Sequence, residues 1–156
     1  MFGKYAARSV KANSSTGFTL LEVLLSIAVI TIIAGTAIPV YESFQVRNDL
    51  DIAATTFVQS LRRAQVLAEA SDGDTSSGVR IDPGSITLFR GTSFASRNSS
   101  FDEIFQIPST ISIAGNAEVV FGRFTGLPTT VGSTTLTSIT NETRTIVTNA
   151  KGTISY

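Results

Sequence analysis

Two side chains that carry much of protein chemistry are missing from this sequence. Among its 156 residues there is no cysteine, which excludes disulfides, thiolate metal sites and cysteine nucleophiles. There is no histidine either, which removes the commonest general base and the commonest metal ligand. Charge is also scarce. Asp, Glu, Lys and Arg make up 15% of the chain, where about a quarter is usual for a soluble domain. A mean hydropathy of +0.25 agrees that part of the chain does not sit in water. The formal charge is zero, with 12 bases against 12 acids, but the balance is uneven. Lys4, Arg8 and Lys11 lie within residues 1–17, which hold no acid; the remainder keeps 9 bases against 12 acids, a net −3. A net-acidic body argues against nucleic acid as a partner, since that binding draws on phosphate neutralisation.

What is present begins with one apolar run. Residues 18–38 read FTLLEVLLSIAVITIIAGTAI, 21 residues with a single charge, Glu22. As a helix this spans about 30 Å, the thickness of a bilayer's hydrocarbon core. Basic residues precede it, and Glu42, Asp49 and Asp51 follow it. The positive-inside rule then predicts residues 1–17 in the cytoplasm and the body outside. A cleaved secretory signal is the competing reading. The run is too long for that, and it continues through Ala37-Ile38-Pro39, so no small-x-small cleavage pattern leads into a polar mature start. Glu22 is the anomaly, because a carboxylate in an apolar helix costs a few kcal/mol on insertion scales. It either snorkels to the interface or has a partner. A cut between Gly17 and Phe18 would leave a free amine four residues before Glu22. In a packed bundle, Glu22 of one subunit could neutralise a neighbour's amine and set axial register, the best-attested role of buried polar pairs.

These residues carry a resemblance. The stretch GFTLLEVLLSIAVITIIAGTAIP resembles the class III leader junction and N-terminal helix of type IV pilins and type II secretion pseudopilins. Gly17 matches the last leader residue, Phe18 mature residue one, Glu22 the acid at the fifth mature position and Pro39 the helix-kinking proline at the twenty-second. At the fourteenth mature position, where the family usually has glycine, this chain has Thr31, with Gly35 four residues on. The resemblance implies cleavage by a prepilin peptidase after Gly17 on the cytoplasmic face and N-methylation of Phe18. It further implies a single-pass subunit of the inner membrane, held in lipid until an assembly platform polymerises it with other pilin or pseudopilin subunits into an extracytoplasmic filament. No cofactor is implied.

Beyond Pro39 a helical period persists: Val46, Leu50, Ala53, Phe57, Leu61, Ala64 and Ala68 follow i, i+4, i+7 spacing. One long helix over residues 18–70 is expected, with Pro39 bending it and its second half packed on the body. Residues 71–78, SDGDTSSG, stop it. An EF-hand beginning at Asp72 is excluded, since its twelfth position falls on Pro83; a solvated turn and a non-EF calcium site remain. From there short β-prone runs follow at 78–81, 85–90, 104–107, 111–113, 118–124, 134–139, 143–148 and 153–156. Turns are expected at Asp82-Pro83-Gly84, at Asn141-Glu142 and at Ala150-Lys151-Gly152, and residues 92–100 read as an exposed loop. The fold class is therefore α+β, a long helix packed on an antiparallel β-sheet head. The divisions are residues 1–17 as leader, 18–38 as transmembrane and assembly helix, 39–70 as amphipathic helix and 71–156 as head. The closing runs, with Arg144-Thr145-Ile146-Val147 and Lys151-Gly152-Thr153-Ile154, are similar to the final strands of the GspH/FimT group of minor pilins and pseudopilins.

A structural filament subunit is thus the leading reading, and a minor one. A tip-located pilin acting as a binding module for a secreted substrate, a surface or DNA is the alternative, its ligand contacts carried by loops 71–77 and 92–100. An enzyme is not expected. The sole lysine after residue 17 is Lys151, Asp102 and Glu103 would point to opposite faces of a strand, and no phosphate-cradling glycine pattern occurs. Asn98-Ser99-Ser100 and Asn141-Glu142-Thr143 match a glycosylation sequon by chance.

Overall fold

The computed structural model describes residues 17–156, with the side chains of residues 37–40 outside the description. The expected leader, residues 1–17, therefore lies outside the described residues apart from Gly17. The chain divides into two compact units, with the boundary between Ile38 and Pro39. One element runs through both, helix α1, Leu20–Glu69, 50 residues long. It begins two residues later and ends one earlier than the apolar period predicts.

In the first unit every described side chain of α1 is exposed, among them Leu20 at 79% and Ile30 at 65%. The helix meets the length and composition of a membrane span, with a mean hydropathy of 2.4 over its most apolar window. Its hydroxyls are returned to the helix itself. Ser26 Oγ donates to the Glu22 carbonyl at 2.7 Å, Thr31 Oγ1 to the Ile27 carbonyl at 2.8 Å and Thr36 Oγ1 to the Ile33 carbonyl at 3.1 Å. A hydroxyl satisfied in this way carries little penalty in hydrocarbon. Thr31, where the resembled family has glycine, is one of them.

In the second unit, Pro39–Tyr156, α1 turns one face to a core. Leu50, Ala53, Phe57, Leu61, Ala64 and Ala68 are all fully buried, joined by Ala54 and by Val58. Val46, at the start of the predicted stripe, is half-buried. The helix ends in a left-handed turn. Ser71 adopts φ 52° and its N–H donates to the Ala68 carbonyl at 3.1 Å, while the Phe124 N–H reaches the same carbonyl at 2.9 Å. A carbonyl orphaned at the helix end is thus satisfied by the head.

Two four-stranded antiparallel sheets make up the head. The first has the order β3-β2-β1-β5 and the second β4-β6-β7-β8. The strands are β1 Ser77–Asp82, β2 Ser85–Arg90, β3 Glu103–Gln106, β4 Ser112–Gly115, β5 Glu118–Phe121, β6 Gly132–Thr137, β7 Thr143–Thr148 and β8 Ile154–Ser155. All eight expected runs form strands; β2 and β7 keep the predicted bounds, and β5 stops three residues early. Strands β1 and β2 pair Asp82 with Ser85 across Pro83-Gly84. Strands β6 and β7 pair Thr137 with Thr143, and Asn141 in their turn has φ 60°. Both sheets contribute to one core against α1: Val79, Ile81, Ile86, Leu88 and Phe121 from the first, Leu136, Ile146 and Ile154 from the second. In β7 the residues alternate, with Ile146 and Thr148 buried and Thr145 and Val147 exposed. That is the pattern of an antiparallel sheet with one wet face.

Strand β2 departs from it. Ile86, Thr87, Leu88 and Phe89 are all buried, because something covers its outer face. The cover comes from the segment expected as an exposed loop. Phe94 meets Phe89 edge-on, ring centres 5.5 Å apart, and the guanidinium carbons of Arg80 and Arg97 lie 4.8 and 3.6 Å from the Phe94 ring centre.

Candidate functional site

Two places hold the residues singled out in the sequence: the start of α1 and one end of the head. At the first, Thr19 occupies the N-cap. Its carbonyl accepts from the Val23 N–H and its Oγ1 from the Glu22 N–H, both at 3.2 Å. Glu22 is thereby the third residue of the helix, and Thr19-Leu20-Leu21-Glu22 has the spacing of a capping box. The T-x-x-E spacing makes this local role of Glu22 legible in the sequence, beside the longer-range pairing expected of it. An acid in the first turn also faces the positive end of the helix dipole. Gly17 and Phe18 precede the cap, and Phe18 is 82% exposed. Pro39 lies within α1, but the bend expected there falls on side chains outside the description.

At the second place, loops 71–77 and 92–101 come together. Gly73, Thr75, Arg90, Gly91, Ser96, Asn98 and Phe101 line a cleft of about 320 Å³. Arg90, the last residue of β2, sends Nη2 to Asp72 Oδ2 at 2.5 Å and lays its guanidinium 4.6 Å from the Phe101 ring centre. Arg97 pins the second loop. Its Nε donates to Asp102 Oδ2 and its Nη1 to the Phe94 carbonyl, each at 2.7 Å. Asn98 caps a short 3-10 turn, Ser99–Phe101, by accepting the Ser100 N–H at 3.1 Å.

The head's charges are mostly matched. Arg47, Arg63, Arg80, Arg90, Arg97, Arg123 and Arg144 each hold a carboxylate, so of the described cations only Arg62 and Lys151 lack an ion-pair partner. Arg80 is raised above the ordinary guanidinium value by its hydrogen bond to Asp82, partly opposed by burial and reinforced by the charges of Asp82 and Glu118. Asp102 and Glu103, adjacent in sequence, go to different cations, Arg97 and Arg63. Among the described residues, no three carboxylates converge as a metal site. The turn at Asp72–Asp74 spends Asp72 on Arg90 and Asp74 on Arg123.

A long N-terminal helix packed on antiparallel sheets is the type IV pilin-like fold. Residues 12–38 match the family model of the prokaryotic N-terminal methylation motif. No curated protein and no solved structure matches the chain. The chain is thus a pilin- or pseudopilin-like structural subunit with a prepilin-type methylation motif and an apolar N-terminal helix. These features are consistent with assembly partners of the pilin class in general.

Proposed function

We propose that the chain is a minor subunit of a type IV pilus or type II secretion pseudopilus, cut by a prepilin peptidase between Gly17 and Phe18 and N-methylated on Phe18. The observation that carries this reading is the methylation motif over residues 12–38, with Gly17, Phe18 and Glu22 inside it. Before assembly α1 anchors the chain in the inner membrane, residues 1–17 in the cytoplasm and the head outside, as the three bases of residues 1–17 favour. During assembly, driven by a membrane platform, apolar helices leave lipid and pack against one another. The apolar side chains of α1 that are exposed in the single chain supply that surface. Glu22 pairs with a neighbouring subunit's Phe18 amine and sets register, while Pro39 kinks the helix. The similarity of the closing strands to the GspH/FimT group supports a minor subunit of that kind. Ion pairing of nearly all cations in the head speaks against nucleic acid as its ligand. The second reading, a tip subunit that binds a target, is favoured by one observation: the two loops expected to carry ligand contacts form the cleft beside Arg90.

Intact mass of the protein purified from its native membrane tests the processing step. A chain that starts at Phe18 and is one methyl group heavier is expected; a full-length chain starting at Met1 would overturn the filament reading. Glu22→Ala should insert in the membrane as the wild type does, with its incorporation into filaments reduced at least about tenfold if a buried pair is lost. Wild-type incorporation of that variant would remove the register role.

A further inference from the structure

The cleft between loops 71–77 and 92–101 has no part in the helix-driven assembly proposed above, and its chemistry is specific enough to name an occupant. We propose that it binds a neutral sugar residue of a glycan. This goes beyond the filament reading and does not depend on it.

Its volume, about 320 Å³, is at the small end of ligand sites and suits a single ring. Several donors are left for an occupant. Arg90 uses Nη2 on Asp72, and no acceptor among the described residues takes its Nε or Nη1. Asn98 spends its Oδ1 on the Ser100 N–H, which leaves the two Nδ2 donors. Thr75 Oγ1 has no hydrogen-bond partner among the described residues, whereas Ser96 Oγ donates to the Ser93 carbonyl and contacts the Thr92 and Ser93 hydroxyls, which leaves it an acceptor at most. Phe101 adds a ring that is 49% exposed, with Arg90 near it. Gly73 keeps the space open, because a Cβ there would stand 3.1 Å from Arg90 Nη1.

Charge decides what kind of occupant fits. Arg90, Arg97 and Arg123 are each matched by an acid, Asp72, Asp102 and Asp74 respectively. An anion would compete with Asp72 for Arg90, and a cation would meet carboxylates already engaged. A neutral polyol meets neither obstacle. Its oxygens accept from Arg90 and Asn98, its hydroxyls pair with Thr75 in either sense, and its C–H face lies on Phe101. A second observation points to the same place. Three buried polar atoms lack a partner among the described residues: Ser71 Oγ, Ser77 Oγ and Asp102 Oδ1. Each is close to a lining residue in the chain or the sheet register: Ser71 is two residues before Gly73, Ser77 pairs with Arg90, and Asp102 follows Phe101. Buried polar groups without a protein partner are ordinarily completed by water or a ligand.

The test is an NMR titration of the full chain in a detergent without a sugar headgroup. Glucose, galactose and N-acetylglucosamine are the neutral probes and glucuronate the anionic control, with the amides of Gly73, Gly91 and Asn98 as reporters. At least one neutral sugar should give saturable shifts centred on those amides. Thr75→Val, which keeps the side chain's shape, should weaken that binding about fivefold, as the loss of one hydrogen bond implies. Absence of saturable shifts with all three neutral sugars at millimolar concentration would overturn the proposal. So would tighter binding of glucuronate than of every neutral sugar, or unchanged affinity in Thr75→Val. None of these outcomes bears on the mass of the processed chain.

Discussion

Arg97→Met is the most informative single change in the head, because it removes a guanidinium that three groups share while keeping most of the side chain's length. Arg97 Nε bonds Asp102 at 2.7 Å, Nη1 bonds the Phe94 carbonyl at 2.7 Å, and its charge lies 3.6 Å from the Phe94 ring centre. A charge-assisted hydrogen bond contributes about 1.5–3 kcal/mol and a partly exposed cation–π contact about 0.5–1 kcal/mol. These do not simply add. The larger effect is on what remains. The Asp102 side chain is only 9% exposed, and its second oxygen already lacks a partner. Stranding a buried charge costs about 3–5 kcal/mol. Arg97 itself is 26% exposed, so solvent can reach part of the site, and about 3 kcal/mol is the expected loss. Urea unfolding of the full chain in micelles reads this as a lower midpoint at unchanged slope. Adding Asp102→Asn removes the stranded charge and should recover about 1 kcal/mol or more. A loss below about 1 kcal/mol for Arg97→Met would show that the pair behaves as a surface contact. The idea that it pins the loop would then fail.

Two further changes calibrate the rest of the head by the same measurement. Phe57→Ala empties a fully buried position where α1 meets the sheets, and should cost about 3–5 kcal/mol; a cost under about 1 kcal/mol would mean that the helix is not packed there. Arg47→Gln breaks the ion pair with Glu142, whose arginine is 61% exposed, and should change stability by no more than about 0.5 kcal/mol. A larger loss would show that this part of α1 is held to the β6–β7 turn by charge rather than by apolar burial.

Most of the architecture was legible because it rests on local rules. The spacing of Leu50, Phe57, Leu61 and Ala68 marked the buried face of α1, since the helical repeat places those positions in one row. Asp82-Pro83-Gly84 marked the first hairpin through backbone chemistry alone, with Gly84 at φ 97°. The end of α1 was placed within a residue, but by a different device from the glycines that suggested it: Ser71 takes the left-handed turn, held by hydrogen bonding to the helix. Thr19 at the N-cap is readable from the T-x-x-E spacing, a local role for Glu22 that stands beside its longer-range ones.

By itself, then, the amino-acid sequence determined the apolar helix, its buried stripe, the strands and the prepilin-type motif, all of which depend on residues a few positions apart. The rest needed the folded chain. The division of the strands into two sheets depends on pairings such as β1 with β5, which joins segments about 40 residues apart. The cover over β2 depends on Phe94 reaching Phe89 and on Arg97 finding Asp102. The cleft exists only because Arg90, at the end of one strand, meets Asp72 and Phe101 from loops on either side of it in the chain. No local pattern encodes such meetings. They are decided when burial of one apolar core brings distant segments together, and the side chains that happen to face each other there set the chemistry of the site.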